Sequence, residues 1–287
     1  GLHFDVGKIA PVLRYSLPFL YITILSLISA NLDRFLINSL ISIQAVGLYA
    51  LAQKFAKLIG DLIGEPFNRS YGAFRFTIMK QPDAAAIQAR VFRYAAAALA
   101  VVSMGVAYFS IDVIRIMAAE AYRPSAQLVA PLALAASLGV LNYIVQTGVL
   151  YAKQSSDLFR ITMIRTVFIA VVAYPVIAAF GLGGICALAI VDGVLVLMLT
   201  HRASQRYFQV RYETGRLASL AALVVGFYAV SLPTTWLSPY VGMTARVALF
   251  AAFVLALQAS NVLSSEEKAW LRGKLRGFVA RRSEPAS

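Results

Sequence analysis

Asn31-Leu-Asp-Arg-Phe-Leu-Ile-Asn38 and, six residues on, Gln44-Ala-Val-Gly-Leu-Tyr-Ala-Leu-Ala-Gln-Lys-Phe-Ala-Lys-Leu-Ile-Gly-Asp61 are very apolar helical stretches with ionisable residues inside them. On an ideal helix Gly47, Ala50, Lys54, Lys57, Asp61 and Glu65 share a wedge roughly 80° wide. No bulky apolar side chain of residues 47–65 falls within it. Lys54 stands about 15 Å along the helix from Gln44, close to mid-membrane if the helix crosses a bilayer. A Lys, Arg or Asp at that depth costs about 2.5–3.5 kcal/mol on insertion scales. Several on one helix must therefore be paired or face a water-filled cavity. Lys57 with Asp61, and Glu65 with Arg69, have the i,i+4 spacing of an ion pair. Lys54 has no such partner on its own helix and reads as facing a cavity. The competing reading of the whole wedge is a structural ion-pair network between helices.

The remaining composition agrees with a membrane setting. Of 287 residues, 60% are hydrophobic and only 14% charged, and the mean hydropathy is +0.74. Soluble domains carry nearer a quarter of their residues charged. Eight apolar segments, near 12–37, 44–67, 88–111, 125–151, 158–180, 183–204, 216–233 and 243–262, suit the roughly 20 helical residues needed to cross a bilayer. They lack period-two alternation, which excludes barrel strands. The fold class expected is all-α integral membrane. Its parts are a linker over 1–11, a six-helix transmembrane lobe over 12–204, two further helices over 205–262 and a basic tail over 263–287.

The net charge of +13 is mainly a topology signal, which removes nucleic acid as a partner. Most Lys and Arg collect on one set of connections: Lys8 and Arg14, residues 69–93, Lys153 and Arg160, residues 202–216, and the tail. The positive-inside rule makes that side, with both termini, cytoplasmic. In the tail Ser264 and Glu267 have capping-box spacing. Trp270, Leu271, Leu275, Phe278 and Val279 then share one face of a helix expected to lie on anionic membrane lipids.

Further ionisable residues lie within spans. Asp33 and Arg34, near the outer end of the first, point about 100° apart and cannot pair face to face. One anchors to a neighbouring helix while the other faces a lumen, or both anchor at the interface. Arg165, a third of the way into the fifth span, either snorkels to the surface or faces the lumen. Asp192, central in the sixth, is too short to snorkel and needs a partner, a proton or water. Asn142, Gln146 and Thr147 give the fourth span a polar patch, usable for helix–helix hydrogen bonds. Gly60-x-x-x-Gly64 permits close helix approach. One cysteine and two histidines exclude a disulfide framework and leave no metal site, cofactor site or covalent catalytic constellation to expect. The outward connections are too short for a membrane-embedded polymerase or ligase, so no enzyme is expected.

Leu13-Arg-Tyr-Ser-Leu-Pro18, Asp33-Arg34-Phe-Leu-Ile37, Val46-Gly-Leu-Tyr-Ala-Leu-Ala52 and Ala121-Tyr-Arg-Pro-Ser125 follow one another on successive helices. In that order they resemble the polysaccharide-transporter branch of the multidrug/oligosaccharidyl-lipid/polysaccharide flippase superfamily, over roughly residues 8–210. Such proteins have two six-helix lobes around a central cavity. The resemblance implies that this chain is a C-terminal lobe plus an extra helix pair, whose partner is an N-terminal lobe not in this sequence. It also implies flipping of a polyprenyl-pyrophosphate-linked oligosaccharide across the bacterial inner membrane by alternating access. This would serve lipopolysaccharide or exopolysaccharide synthesis, with a polysaccharide polymerase or glycosyltransferases as further partners. Arg34, Lys54, Lys57, Arg165, Asn142 and Gln146 would line the substrate cavity. Asp33, Asp61, Glu65 and Asp192 would serve ion coupling. The alternatives are a cation-coupled multidrug exporter of the same superfamily and a non-transporting scaffold of a polysaccharide assembly complex.

Overall fold

The computed structural model describes residues 6–261, which are helical apart from short connections, with no strand among them. The tail helix expected after Ser264 lies outside the described residues. The chain divides into two compact units, one ending at Tyr212 and the other beginning at Glu213.

The first unit opens with α1 (Val6–Leu40) and α2 (Ile43–Ile59). The turn between them is tight because the Ser42 hydroxyl caps α2, accepting from the Ala45 N–H at 3.1 Å. On α2 Ala45, Tyr49, Ala52, Ala56 and Ile59 are buried, a stripe on the side opposite Lys54 and Lys57. Its small residues let neighbouring helices approach closely. Val129 and Leu132, and Ile169, Ala173, Ile177, Ile185 and Leu188, complete this core from later helices.

A π-turn, Gly60–Gly64, joins α2 to α3 (Glu65–Ile78), and the Glu65 N–H bonds the Gly60 carbonyl five residues back. Pro66 explains it: its ring lacks an N–H and would collide with the Leu62 carbonyl in a continuous α-helix. The rotation per residue changes here, so the ideal-helix wedge expected over 47–65 does not extend past Ile59. Only half of the Gly60/Gly64 expectation is used. A Cβ on Gly64 would stand 2.9 Å from Val140 Cγ2, whereas Gly60 faces nothing within 4 Å.

After a turn come α4 (Ala84–Met117), a 3-10 segment (Glu120–Ser125), α5 (Ala126–Val145) and α6 (Thr147–Tyr151). The break at Gln146 turns that residue's N–H onto the Asn142 and Ile144 carbonyls, and the Ile144 carbonyl has room for a further donor. Gln88 supplies one: its Nε2 donates to Ile144 O at 2.7 Å, while its Oε1 accepts from the Tyr71 hydroxyl. Gln88 is 2% exposed, so one amide joins α3, α4 and α5 in a buried setting. Gln88→Leu removes both of these bonds from a buried setting. It should cost about 2 kcal/mol, read as a lower unfolding temperature in detergent. Unchanged melting would show that water takes over both bonds.

The last element of the unit, α7 (Ser155–Gln205), is 51 residues long. Straight, it would extend about 76 Å, against a hydrocarbon core of about 30 Å. It instead doubles back at Gly181, whose φ of 59° and ψ of −140° are confined to glycine. Two contacts prove the return. Arg165 meets Asp192 at 2.7 Å, and the Tyr207 hydroxyl donates to Asp157 Oδ2 at 2.7 Å. That bond raises the Tyr207 phenol above its ordinary pKa. The arms, 155–180 and 182–205, fall where the fifth and sixth spans were expected.

In the second unit α8 (Thr214–Ser231), a 3-10 turn (Leu232–Trp236) and α9 (Pro239–Ala259) form another hairpin. Phe227 and Phe253 meet edge to face at 5.5 Å. Arg246, 1% exposed, donates from Nη1 to the Thr234 carbonyl at 3.4 Å, tying α9 to the turn.

Among the described residues six helices are long and apolar enough to cross a membrane: Ser16–Leu40, Ala84–Met117, Glu120–Tyr151, Ser155–Gln205, Thr214–Thr235 and Pro239–Ala259. Two stretches account for the difference from the eight expected spans. Ser155–Gln205 counts once although it holds two arms that fold back at Gly181, and residues 43–78 are not among the six, their apolar length being interrupted by Gln44, Gln53, Lys54 and Lys57.

Candidate functional site

A polar cluster forms where α1, α2 and both arms of α7 meet. Asp33 on α1 accepts from the Tyr49 hydroxyl at 3.3 Å. Arg165 on the first arm of α7 donates from Nε to both Asp192 oxygens, at 2.9 and 2.8 Å, and its Nη2 lies 2.7 Å from Oδ2. The Ser29 and Thr166 hydroxyls are 3.4 Å apart. Ser26, Ser29, Asp33, Arg165 and Asp192 line a cavity of about 300 Å3, closed on its apolar side by Ile169, Ile185 and Leu188.

Depth follows from chain counting. Arg165 lies ten residues into α7 and Asp192 eleven residues past Gly181, so each stands about 15 Å from an end of its arm. A charge there needs compensation, and each supplies it for the other. The Asp192 side chain is 12% exposed and that of Arg165 35%. Arg165 therefore does not snorkel to the surface.

The cationic residues of the second stretch lie on the opposite face of α2. Lys54 is exposed and has no hydrogen-bond or ion-pair partner among the described residues. Lys57 and Asp61 are 3.9 Å apart and Glu65 and Arg69 3.8 Å, all four exposed, as i,i+4 spacing anticipates. Arg34 joins this face: its Nη2 donates to Gln53 Oε1 at 3.4 Å, and Gln53 sits one turn before Lys57. The adjacent Asp33 and Arg34 thus go to different places, Asp33 into the cavity and Arg34 onto the cationic face.

Asn142 and Gln146 join neither group. Asn142 Oδ1 is buried without a partner, and the Gln146 N–H caps α5 on the Asn142 carbonyl at 3.0 Å. Sequence reasoning missed Tyr49, Gln53, Ser26 and Ser29. Tyr49 was detectable in principle, since a tyrosine in the apolar stripe of a membrane helix needs an acceptor for its hydroxyl.

Two of the motif stretches also touch. A Cβ on Gly47 would stand 3.3 Å from Tyr122 Cε1, so the 46–52 stretch receives the ring of the 121–125 stretch. Ser125 steadies that segment by donating to the Tyr122 carbonyl at 2.6 Å, and Arg123 by pairing with Glu120 at 2.7 Å.

No curated protein and no solved structure matches the chain. The matched part of the chain runs from its first residue into the start of α5. It includes Asp33, Arg34 and the charged face of α2 but not Arg165 or Asp192. Residues 1–127 match the family model described as polysaccharide biosynthesis protein, and this match supports the polysaccharide flippase family.

Proposed function

We propose that the chain is one lobe of a flippase that moves a polyprenyl-pyrophosphate-linked oligosaccharide across the bacterial inner membrane by alternating access. In this reading residues 43–78 cross the bilayer, each arm of α7 crosses it, and both ends of the segment face the cytoplasm. A second lobe closes the path. The observation that carries the reading is the exposed face bearing Arg34, Lys54 and Lys57 on helices whose other sides are apolar. A multivalent phosphate anion kept out of lipid needs such a face, because cations offset its loss of hydration. The carboxylates Asp33 and Asp192, and Asp61 in the π-turn and Glu65 at the start of α3, are the candidates for coupling to an ion. A cationic drug would be repelled by the same lysines, which disfavours the multidrug-exporter reading.

The test is Lys54→Ala in the full-length protein. Surface polysaccharide should be lost while the membrane level of the protein is unchanged. Normal polysaccharide in that variant would overturn the assignment of this face.

A further inference from the structure

The Arg165–Asp192 pair is built unlike a static strut. Its geometry is that of a guanidinium gripping a carboxylate, with three N–O distances between 2.7 and 2.9 Å. The guanidinium nevertheless opens onto a cavity, and its side chain remains 35% exposed. A buried pair that served packing alone gains nothing from an open side, since water and lipid headgroups then compete for the cation.

The charges around the cavity are unbalanced. Among the described residues Arg165 is the one cation lining it, against the two carboxylates Asp33 and Asp192. Arg34, on α1, and Lys54 and Lys57, on α2, belong to the separate cationic face. A ligand anion entering the cavity would meet like charge unless it took Arg165 from Asp192. A planar guanidinium binds phosphate oxygens with the same two-pronged geometry it uses for carboxylate, so the two anions compete for one fork.

The consequence of such an exchange is structural, because Arg165 and Asp192 sit on the two arms of one hairpin. Their other links are apolar, through Ile169, Ile185 and Leu188, or lie toward the α7 ends, as between Tyr207 and Asp157. Freeing Asp192 removes the polar tie at mid-arm and leaves a carboxylate that must find another partner.

We propose that Arg165 is an exchangeable cation: Asp192 holds it in the ligand-free protein, and the phosphate group of a membrane-embedded lipid displaces Asp192. The inference rests on the flippase reading for its ligand class and deepens it by giving a site at which arrival of the headgroup is transmitted to the α7 arms. A lipid-linked diphosphate and an ordinary phospholipid headgroup share this chemistry, so the test separates them.

The full chain is reconstituted in nanodiscs of neutral lipid, and binding of a short-chain polyprenyl diphosphate is measured beside inorganic pyrophosphate and phosphatidylglycerol. Asp192→Asn should tighten diphosphate-lipid binding about tenfold, Arg165→Gln should weaken it about tenfold, and the gain should vanish in the double variant. In the wild-type protein, labelling of Asp192 by a hydrophobic carbodiimide, read by peptide mass spectrometry, should rise when the diphosphate lipid is added. This second measurement needs no variant to fold. A response to phosphatidylglycerol alone supports the exchange and assigns its source to bulk lipid. Binding that ignores Asp192→Asn, or a gain that survives without Arg165, overturns the exchange and leaves the flippase reading intact. Unchanged Asp192 labelling with the lipid bound also overturns it. Failure of the wild-type chain to bind any of the three probes overturns it too, and only this result counts against the flippase reading as well.

Discussion

Gly184→Val should destabilise the protein by about 3 kcal/mol, seen as a marked fall in unfolding temperature in detergent and in the yield of folded protein. A Cβ at this position would lie 2.7 Å from the Val176 carbonyl oxygen and 2.9 Å from both Phe180 Cβ and Val176 Cγ1. The first of these is backbone and cannot rotate away, so the arms of α7 have to separate. The control is one residue earlier: a Cβ on Gly183 meets nothing within 4 Å, and Gly183→Val should stay within about 0.5 kcal/mol of the parent. Equal melting of the two variants would mean that the arms do not close at this spacing. The hairpin also fixes the distance between Arg165 and Asp192, so any Gly184→Val protein that folds should lose the diphosphate-lipid response as well.

The second large effect concerns transport. Lys54→Ala should reduce substrate engagement about 10–100-fold, the range for one lost charge-assisted bond to a phosphate. Lys57→Ala should cost less, because Lys57 already shares its charge with Asp61 at 3.9 Å. Lys54→Arg should retain much of the activity, since the charge survives. Leu58→Ala supplies the comparison, for Leu58 is 39% exposed one turn from Lys54 without a charge. The measurement is flipping of a labelled lipid-linked oligosaccharide in proteoliposomes of the full-length protein. Equal losses for Lys54→Ala and Leu58→Ala would show that shape rather than charge matters there.

The fold class was legible because hydropathy and helix length are local properties that a bilayer reads directly. Some connections were legible for the same reason: the gaps left between the expected spans at 38–43 and 181–182 hold Ser42 and Gly181, whereas the helix expected to end near 67 runs on to Ile78. The charged wedge was only partly legible. Ideal helical geometry holds from Gly47 to Ile59 and then fails, since a π-turn set by Pro66 changes the rotation per residue. Pro66 was visible in the chain, but whether it kinks, breaks or widens a helix depends on the neighbours that take up the freed carbonyls.

The site divides along the same line. That Asp192 needs a partner followed from depth and side-chain length alone, and the roughly 100° between adjacent helix positions allowed Asp33 and Arg34 to diverge. Which group satisfies Asp192 did not, because Arg165 is 27 residues away and reaches it only when α7 folds back. By itself the sequence determined an apolar helical membrane protein with ionisable residues on defined helix faces, since composition and periodicity act over a few turns. The i,i+4 pairs were local and legible, but the tertiary structure alone decided that Arg165 neutralises Asp192, because pairing between distant residues depends on how their helices pack.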